Sequence, residues 1–227
     1  MTADRPLKAR LLTARGRSPS SQQWLRRQLN DPYVHRARQE GWRARSVFKL
    51  QELDERFGLL RRGTRVLDLG AAPGSWTQYA VKRGCHVVAV DLLPIEPIAG
   101  ADLLQGDFLD PAVQEELRRR LGGPADLLLS DMAAAATGRR AVDRLRAEGL
   151  GETVLEFAGE VLAPGGSCVV KLIKGGEAAL MPRATALFAS ARVLRPKATR
   201  SESSEVYLLA RNLREPALTG SGDGSSR

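Results

Sequence analysis

The sequence predicts a single α/β domain with a mostly parallel, Rossmann-like sheet and helices on both faces. Three observations predict it. From Gly63 onward short apolar runs alternate with helix-length segments, the first run ends in a glycine-rich turn that opens a helix, and acids recur at the ends of successive runs. Strands separated by helix-length segments are joined by crossovers, which makes neighbours parallel and covers the sheet on both sides. At 227 residues and 43% hydrophobic, the chain can bury one good core and is short for two.

Residues 1–20, rich in Arg, Ser, Thr and Ala without apolar periodicity, and the Gly/Ser-rich residues 215–227 bury too little surface to offset the entropy of ordering, and are expected to be disordered tails. Residues 21–62 form a basic helical arm. Trp24, Leu25 and Leu29, then Val47, Leu50 and Leu53, recur at helical spacing around a break at Asn30-Asp31-Pro32, which predicts two helices. Residues 63–214 carry the sheet. Strands are expected at Arg65–Leu69, His86–Val90, Asp126–Leu129, Ser167–Leu172 and Glu205–Ala210, and helices near Trp76–Arg83, Pro111–Leu121, Val142–Val161 and Ala178–Ala191. Leu162-Ala163-Pro164-Gly165-Gly166 is a helix stop feeding the next strand.

The turn Asp68-Leu69-Gly70-Ala71-Ala72-Pro73-Gly74-Ser75-Trp76 points to a nucleotide-type ligand. Glycine at 70 and 74 permits close backbone approach, and the helix that follows opens with unpaired N–H groups. It is not a dinucleotide turn, because the second glycine of GxGxxG is Ala72, and the Gly-Lys-Ser/Thr of a phosphate loop is absent. Asp91 closes the next strand, where an acid accepts from ribose hydroxyls and repels the extra phosphate of NADP. Asp107, in Gln105-Gly106-Asp107-Phe108, can accept from an adenine amino group. Either acid alone suits an ordinary turn or helix cap; their recurrence at strand ends, where open α/β sheets bind ligands, favours a site.

The formal charge of +9 is unevenly placed: residues 1–62 hold 15 Lys and Arg against 6 Asp and Glu, and residues 63–227 hold 20 against 20. A basic arm on a neutral domain suits a polyanion, since cations that neutralise phosphates release counterions. A solvated basic segment is the plainer alternative. Trp24 and Trp42 flank the arm and suit either stacking on bases or packing onto the domain. Cys85 and Cys168 lie in apolar runs without ligand spacing and read as inert core thiols, His35 and His86 read as structural, and no metal site is expected. With neither a long apolar run nor a signal-type N-terminus, the chain is expected to be cytoplasmic and off the membrane.

The order Asn30-Asp31-Pro32-Tyr33-Val34, Ser46-Val47-Phe48-Lys49-Leu50, Asp68 to Gly74, Asp91-Leu92-Leu93-Pro94, Gln105 to Phe108, Ser130-Asp131-Met132-Ala133, Val169-Val170-Lys171 and Ser203-Ser204-Glu205-Val206-Tyr207 resembles the FtsJ/RrmJ family of ribose 2′-O-methyltransferases, in particular its bacterial branch acting on uridine of large-subunit (23S) ribosomal RNA. The likeness runs from about Trp24 to Arg211. It implies a class I S-adenosylmethionine-dependent methyltransferase fold, S-adenosylmethionine as cofactor, ribosomal RNA in the large ribosomal subunit as partner, and a monomer. It places a catalytic set at Lys49, Asp131, Lys171 and Glu205, and cofactor contacts at Gly74, Trp76, Asp91, Asp107 and Asp131. Two departures stand out: the usual Pro-Gly-Gly-Trp reads Pro73-Gly74-Ser75-Trp76, and Ala134-Ala135 replaces a pair that keeps Asn.

Methyl transfer to a hydroxyl requires an oxygen aligned with the S–CH3 bond and a group to take its proton. A neutral Lys171 can be that group; desolvation and a second cation such as Lys49 favour the neutral form, while Asp131 and Glu205 oppose it and suit orienting roles. Neither the Asn/Asp-Pro-Pro-Tyr loop of amino-group methylation nor the cysteine nucleophile of cytosine C5 methylation occurs here. The remaining alternatives are 2′-O-methylation of transfer RNA or another RNA, and an RNA-binding assembly factor without turnover.

Overall fold

The computed structural model describes residue 22 and residues 29–135 and 137–215. The expected tails, except for Glu215, lie outside the described residues, as do Trp24 and Leu25. The described elements are, in order, α1 (Pro32–Gln39), α2 (Val47–Phe57), β1 (Arg65–Leu69), α3 (Ser75–Lys82), β2 (His86–Asp91), β3 (Ala101–Gln105), α4 (Pro111–Leu121), β4 (Ala125–Ser130), α5 (Arg140–Val161), β5 (Leu162–Ile173), α6 (Glu177–Leu187), β6 (Phe188–Leu194) and β7 (Glu205–Leu213). They build one seven-stranded sheet in the order β3-β2-β1-β4-β5-β7-β6. Strand β1 runs parallel to β2 and β4, as do β2 to β3 and β4 to β5, whereas β7 is antiparallel to β5 and β6.

The predicted α/β class holds, with three local corrections. Ala101–Gln105, read only as an apolar segment, is an edge strand whose half-buried residues lack the apolar strength of a central one. The helix expected to reach Ala191 stops at Leu187, and Phe188 turns extended at φ −115°, ψ 152°. Alanine-rich Phe188–Ala191 has helical propensity, but pairing of Phe188–Leu194 along β7 overrides it. Asp31-Pro32 begins a helix within the arm: Asp31 is the N-cap of α1, accepting from the Tyr33 N–H at 3.0 Å, and Pro32 sits at the first helical position.

Because side chains alternate across a strand, residue parity assigns each strand residue to a face. Leu67, Leu69, Leu128, Cys168, Val170, Leu172, Val206 and Leu208 pack with α4, α5 and α6 in one core cluster. On the other face Val66, Leu127, Leu129, Val169, Tyr207 and Leu209 pack with Leu50 and Leu53 of α2 and Trp76 and Ala80 of α3. Asp68, Lys171 and Glu205 share the parity of this second set. The arm is therefore part of the core: α2 covers the sheet, and α1 follows it through a cluster of Ala37, Trp42, Val47, Phe48 and Ala198. Trp42 is buried, packs edge-on to Tyr79 at 5.9 Å between centroids, and donates to Glu40, so it is a packing residue rather than a platform for bases. Both thiols are buried, which pushes Cys85 up to about 11 and Cys168 up to about 12.

Buried Asp31 also ties the arm to the segment between β6 and β7. Its carboxylate pairs with Arg45 and, at 2.9 Å, with Arg200, while Arg45 donates onward to the Ala198 carbonyl. Removing the carboxylate leaves two guanidinium groups facing each other at a largely buried site. Asp31→Ala should destabilise the fold by about 3 kcal/mol, read as a lower urea midpoint. An unchanged midpoint would show that the arm is not fastened there.

Asp68 in β1 is the second buried acid that matters. It has no solvent exposure, one oxygen accepts from the Thr77 hydroxyl at 2.6 Å, and the other has no partner among the described residues. Burial, opposed by that hydrogen bond and reinforced by Asp131 and Asp91, pushes the carboxyl from 3.8 up to about 7. A carboxyl with its folded value above its unfolded one gives stability that is complete below the unfolded value and lost as pH rises through the folded one. Asp68→Asn keeps an acceptor for Thr77 and cannot ionise. Its stability relative to wild type should therefore rise between about pH 4 and pH 7 and then level, as measured by urea unfolding across pH. A constant difference would mean that Asp68 ionises freely in the folded protein.

Candidate active site

The four residues expected to be catalytic come from α2, the end of β4, β5 and β7, and the fold brings them together. Lys49 is 8% exposed and donates to Glu205 Oε2 at 2.8 Å and to the Tyr207 hydroxyl at 2.9 Å. That hydroxyl donates in turn to Asp131 Oδ1 at 2.7 Å. Lys171 Nζ lies 3.2 Å from the same Asp131 oxygen and also donates to the Asp131 backbone carbonyl. The antiparallel register places Tyr207 beside Lys171 and Glu205 beside Ile173, so β5 and β7 present Lys171, Glu205 and Tyr207 on the α2 face as one group.

Two ammonium groups and two carboxylates make this cluster neutral overall, and Tyr207 gives it direction. Burial above all, then the charges of Asp131 and Glu205, push the Tyr207 phenol well above its ordinary value, so it stays a neutral hydroxyl that can both accept and donate. Burial pushes the Glu205 carboxyl up, but Lys49, helped by Lys171, more than reverses this and holds it below the usual carboxylate range. In the sequence Tyr207 stands out only as the last residue of the motif Ser203-Ser204-Glu205-Val206-Tyr207. Its shared parity with Lys171 and Glu205 was the available signal.

A cavity of about 560 Å³ opens beside this cluster, with Asp131 in its wall together with Asp91, Leu92, Asp107, Leu109 and Arg146. The volume and the mixture of apolar and carboxylate groups suit a small organic ligand. Asp91 is held rigid by the Ala72 N–H at 2.9 Å and the Leu93 N–H at 2.8 Å, and Asp107 by the Leu109 N–H at 2.9 Å. The turn role and the site role of these acids coexist, since each carboxylate oxygen can accept a further hydrogen bond. Among the described residues no cluster of His, Cys, Asp and Glu could hold a metal ion.

Gly74 and Trp76 lie off the cavity wall. The Trp76 ring is 2% exposed, 5.8 Å from that of Tyr207, and its N–H donates to the Ser46 carbonyl at 2.8 Å. The glycines were expected to permit close backbone approach to a ligand; Gly70 lies on the cavity wall, and the protein itself crowds both positions. At Gly70 (φ +74°) a Cβ would stand 2.5 Å from Met132 Cγ and 2.8 Å from its backbone N. At Gly74 (φ +102°) it would stand 2.7 Å from Ile98 Cδ1 and 3.1 Å from Arg43 Nη1. Ser75, the departure from Pro-Gly-Gly-Trp, is buried with its hydroxyl 2.7 Å from that of Ser46, where it links the start of α3 to the N-cap of α2. Where Asn is usual, Ala134 and Ala135 leave two methyl groups on the cavity wall.

Comparison with known proteins agrees with this geometry. Residues 42–213 match the profile of FtsJ-like methyltransferases. A Gluconobacter oxydans protein named Ribosomal RNA large subunit methyltransferase E is 52% identical over 217 residues, covering 95% of this chain and 81% of its own length. A Xanthobacter autotrophicus protein of the same name is 53% identical over 220 residues, covering 94% of this chain and 87% of its own. A crystal structure of a Plasmodium falciparum protein described as a ribosomal RNA methyltransferase superposes with a TM-score of 0.70 at 25% identity, covering 77% of this chain and all of the other. With the match spanning the glycine turn, the cavity and the lysine-acid cluster, the chain belongs to the FtsJ-like methyltransferase family.

Proposed function

We propose that this protein transfers a methyl group from S-adenosylmethionine to the ribose 2′-hydroxyl of a uridine in 23S ribosomal RNA, acting as a cytoplasmic monomer on the assembled large subunit. One observation carries the reading: a partly buried hydrogen-bond chain from Glu205 through Lys49, Tyr207 and Asp131 to Lys171, ending at the wall of a nucleotide-sized cavity. The names of the relatives support the substrate. No described helix is long and apolar enough to cross a membrane.

The cavity fits the cofactor by its chemistry: Asp91 can take ribose hydroxyls, Asp107 an adenine amino group, and Asp131 faces a cationic centre. When bound, the cofactor supplies an electrophilic methyl group on a sulfonium. At the start of α3 the Gly74 N–H already donates to the Ala71 carbonyl at 2.6 Å, and Gly74 and Trp76 support the turn from off the cavity wall. Every other contribution is the protein's own. Asp131, gripped by Tyr207 on one side and Lys171 on the other, orients the incoming hydroxyl; Lys171, after releasing one ammonium proton to solvent, accepts the hydroxyl proton at Nζ; Lys49, held by Glu205 and Tyr207, keeps Tyr207 aimed at Asp131. An assembly factor without turnover would have no need of this ordered set.

Lys171→Ala should lose at least about 100-fold in single-turnover rate while keeping affinity for S-adenosylmethionine and ribosomal RNA. Lys171→Arg keeps a charge and donors but cannot accept the proton, and should be equally slow; near-normal methylation by the arginine variant would end the proton-acceptor assignment. Mapping methylated riboses by mass spectrometry in a deletion strain identifies the target, and an unchanged 23S methylation pattern would exclude the ribosomal reading.

The arm supplies the second expectation. Arg38 is exposed on α1, whereas Arg36 already pairs with Glu40 at 2.6 Å and covers the Phe48 ring. Arg38→Ala should weaken RNA binding and reduce the slope of log K against log salt by about one. An unchanged slope would remove this face of α1 from the RNA surface.

A further inference from the structure

Arg43 belongs to the basic arm, but its half-buried guanidinium is spent on the protein's own carbonyls. Nη1 donates to the carbonyl of Pro73 at 3.0 Å and to that of Glu96 at 2.7 Å, and Nη2 donates to the carbonyl of Pro97 at 2.8 Å. Pro73 lies in the glycine turn. Glu96 and Pro97 lie in the irregular segment between β2 and β3, which begins at Leu92, next to Asp91 at the end of β2, both on the cavity wall. One side chain thus spans the two loops that bound one end of the cavity.

The surrounding residues are built around this bridge. The Arg43 backbone N–H donates to Gln78 Oε1 at 3.2 Å, and Gln78 Nε2 donates back to the Gly41 carbonyl at 2.9 Å. With the Ser46–Ser75 and Trp76–Ser46 hydrogen bonds, the linker 41–46 is laced along the first turns of α3. Gly74 takes a φ of +102°, which favours glycine, and Arg43 and Ile98 close over it. Ile95 packs into the sheet core and Ile98 over Gly74, but Arg43 is the side chain that takes up the Glu96 and Pro97 carbonyls.

We propose that Arg43 is a positioning residue for cofactor binding: it clamps the glycine turn to the segment after Asp91 and so sets the width of the cleft that receives the adenosyl ligand. The inference rests on the reading that S-adenosylmethionine occupies this cavity. A guanidinium fork is needed for the clamp, because three carbonyls on two loops must be reached at once, and a lysine offers a single point of attachment. A phosphate contact, the ordinary expectation for an arginine in a basic arm, can also be made by the point charge of a lysine.

The lysine variant therefore separates the two roles. Calorimetric titration of S-adenosylmethionine and S-adenosylhomocysteine into the full-length chain should show Arg43→Ala and Arg43→Lys both binding about tenfold more weakly than wild type. In turnover the loss should fall on KM for the cofactor, with kcat at saturating cofactor nearly kept. Arg43→Lys should hold a 23S ribosomal RNA fragment as tightly as wild type, and Arg38→Ala should show the reverse pattern, weaker RNA binding with cofactor affinity unchanged. Circular dichroism melts identify folded variants, and the lysine variant decides the matter if the alanine variant does not fold. Wild-type cofactor affinity in Arg43→Lys, or a loss confined to RNA binding in Arg43→Ala, overturns the clamp. Failure of wild type to bind either adenosyl ligand overturns the cofactor reading itself, and the clamp with it.

Discussion

A lysine ammonium buried to 8% exposure is the constraint from which the rest of the structure is best understood. Such a charge is costly unless it is paired and its donors are satisfied. Lys49 finds both acceptors on β7, in Glu205 and Tyr207, so α2 must lie across that strand in one orientation. The same arrangement determines what Tyr207 can do. With its lone pair given to Lys49, its proton is directed to Asp131, and Asp131 is then held between a phenol and Lys171. A helix that reads in the sequence as the last part of a basic arm thus covers the lysine-acid cluster.

The sheet makes that arrangement possible at low cost. Alternation along β5 and β7 puts Lys171, Glu205 and Tyr207 on one face, and the antiparallel register sets Lys171 opposite Tyr207. At the other side of the cleft, close crossings of the chain take over. Gly70 passes against Met132, and Gly74 lies beneath Ile98 and Arg43, so the turn that shapes the cavity is supported from behind by side chains rather than standing free. Trp76 completes that support, with its ring against Tyr207 and its N–H on Ser46, and links the glycine turn to the lysine-acid cluster.

The charge of the arm divides into two populations with different physics. Arg43 and Arg45 are engaged within the protein, on backbone carbonyls and the Asp31 carboxylate, while Arg38 is exposed on α1. Only outward charges are free to neutralise phosphates. The excess of +9 in residues 1–62 therefore overstates the polyanion surface, and part of it is structural reinforcement of the cleft.

Much was determined by the sequence alone. The alternation of apolar runs and helical segments established the α/β class, the absence of GxGxxG and phosphate-loop patterns narrowed the ligand, and the ordered motifs from Asn30 to Tyr207 identified the family and named Lys49, Asp131, Lys171 and Glu205. These are local or ordered features, and a linear string preserves them. What the tertiary structure decided are relations between distant positions: the hydroxyl of Tyr207 between Lys49, 158 residues away in sequence, and Asp131; the strand character of Phe188–Leu194, which exists only because β7 lies beside it; the grip of Arg43 on Pro73, Glu96 and Pro97. In each case the deciding energy is a contact between segments whose separation along the chain carries no signal. Propensity and spacing could say which residues were chemically able to act, and only packing could choose their partners.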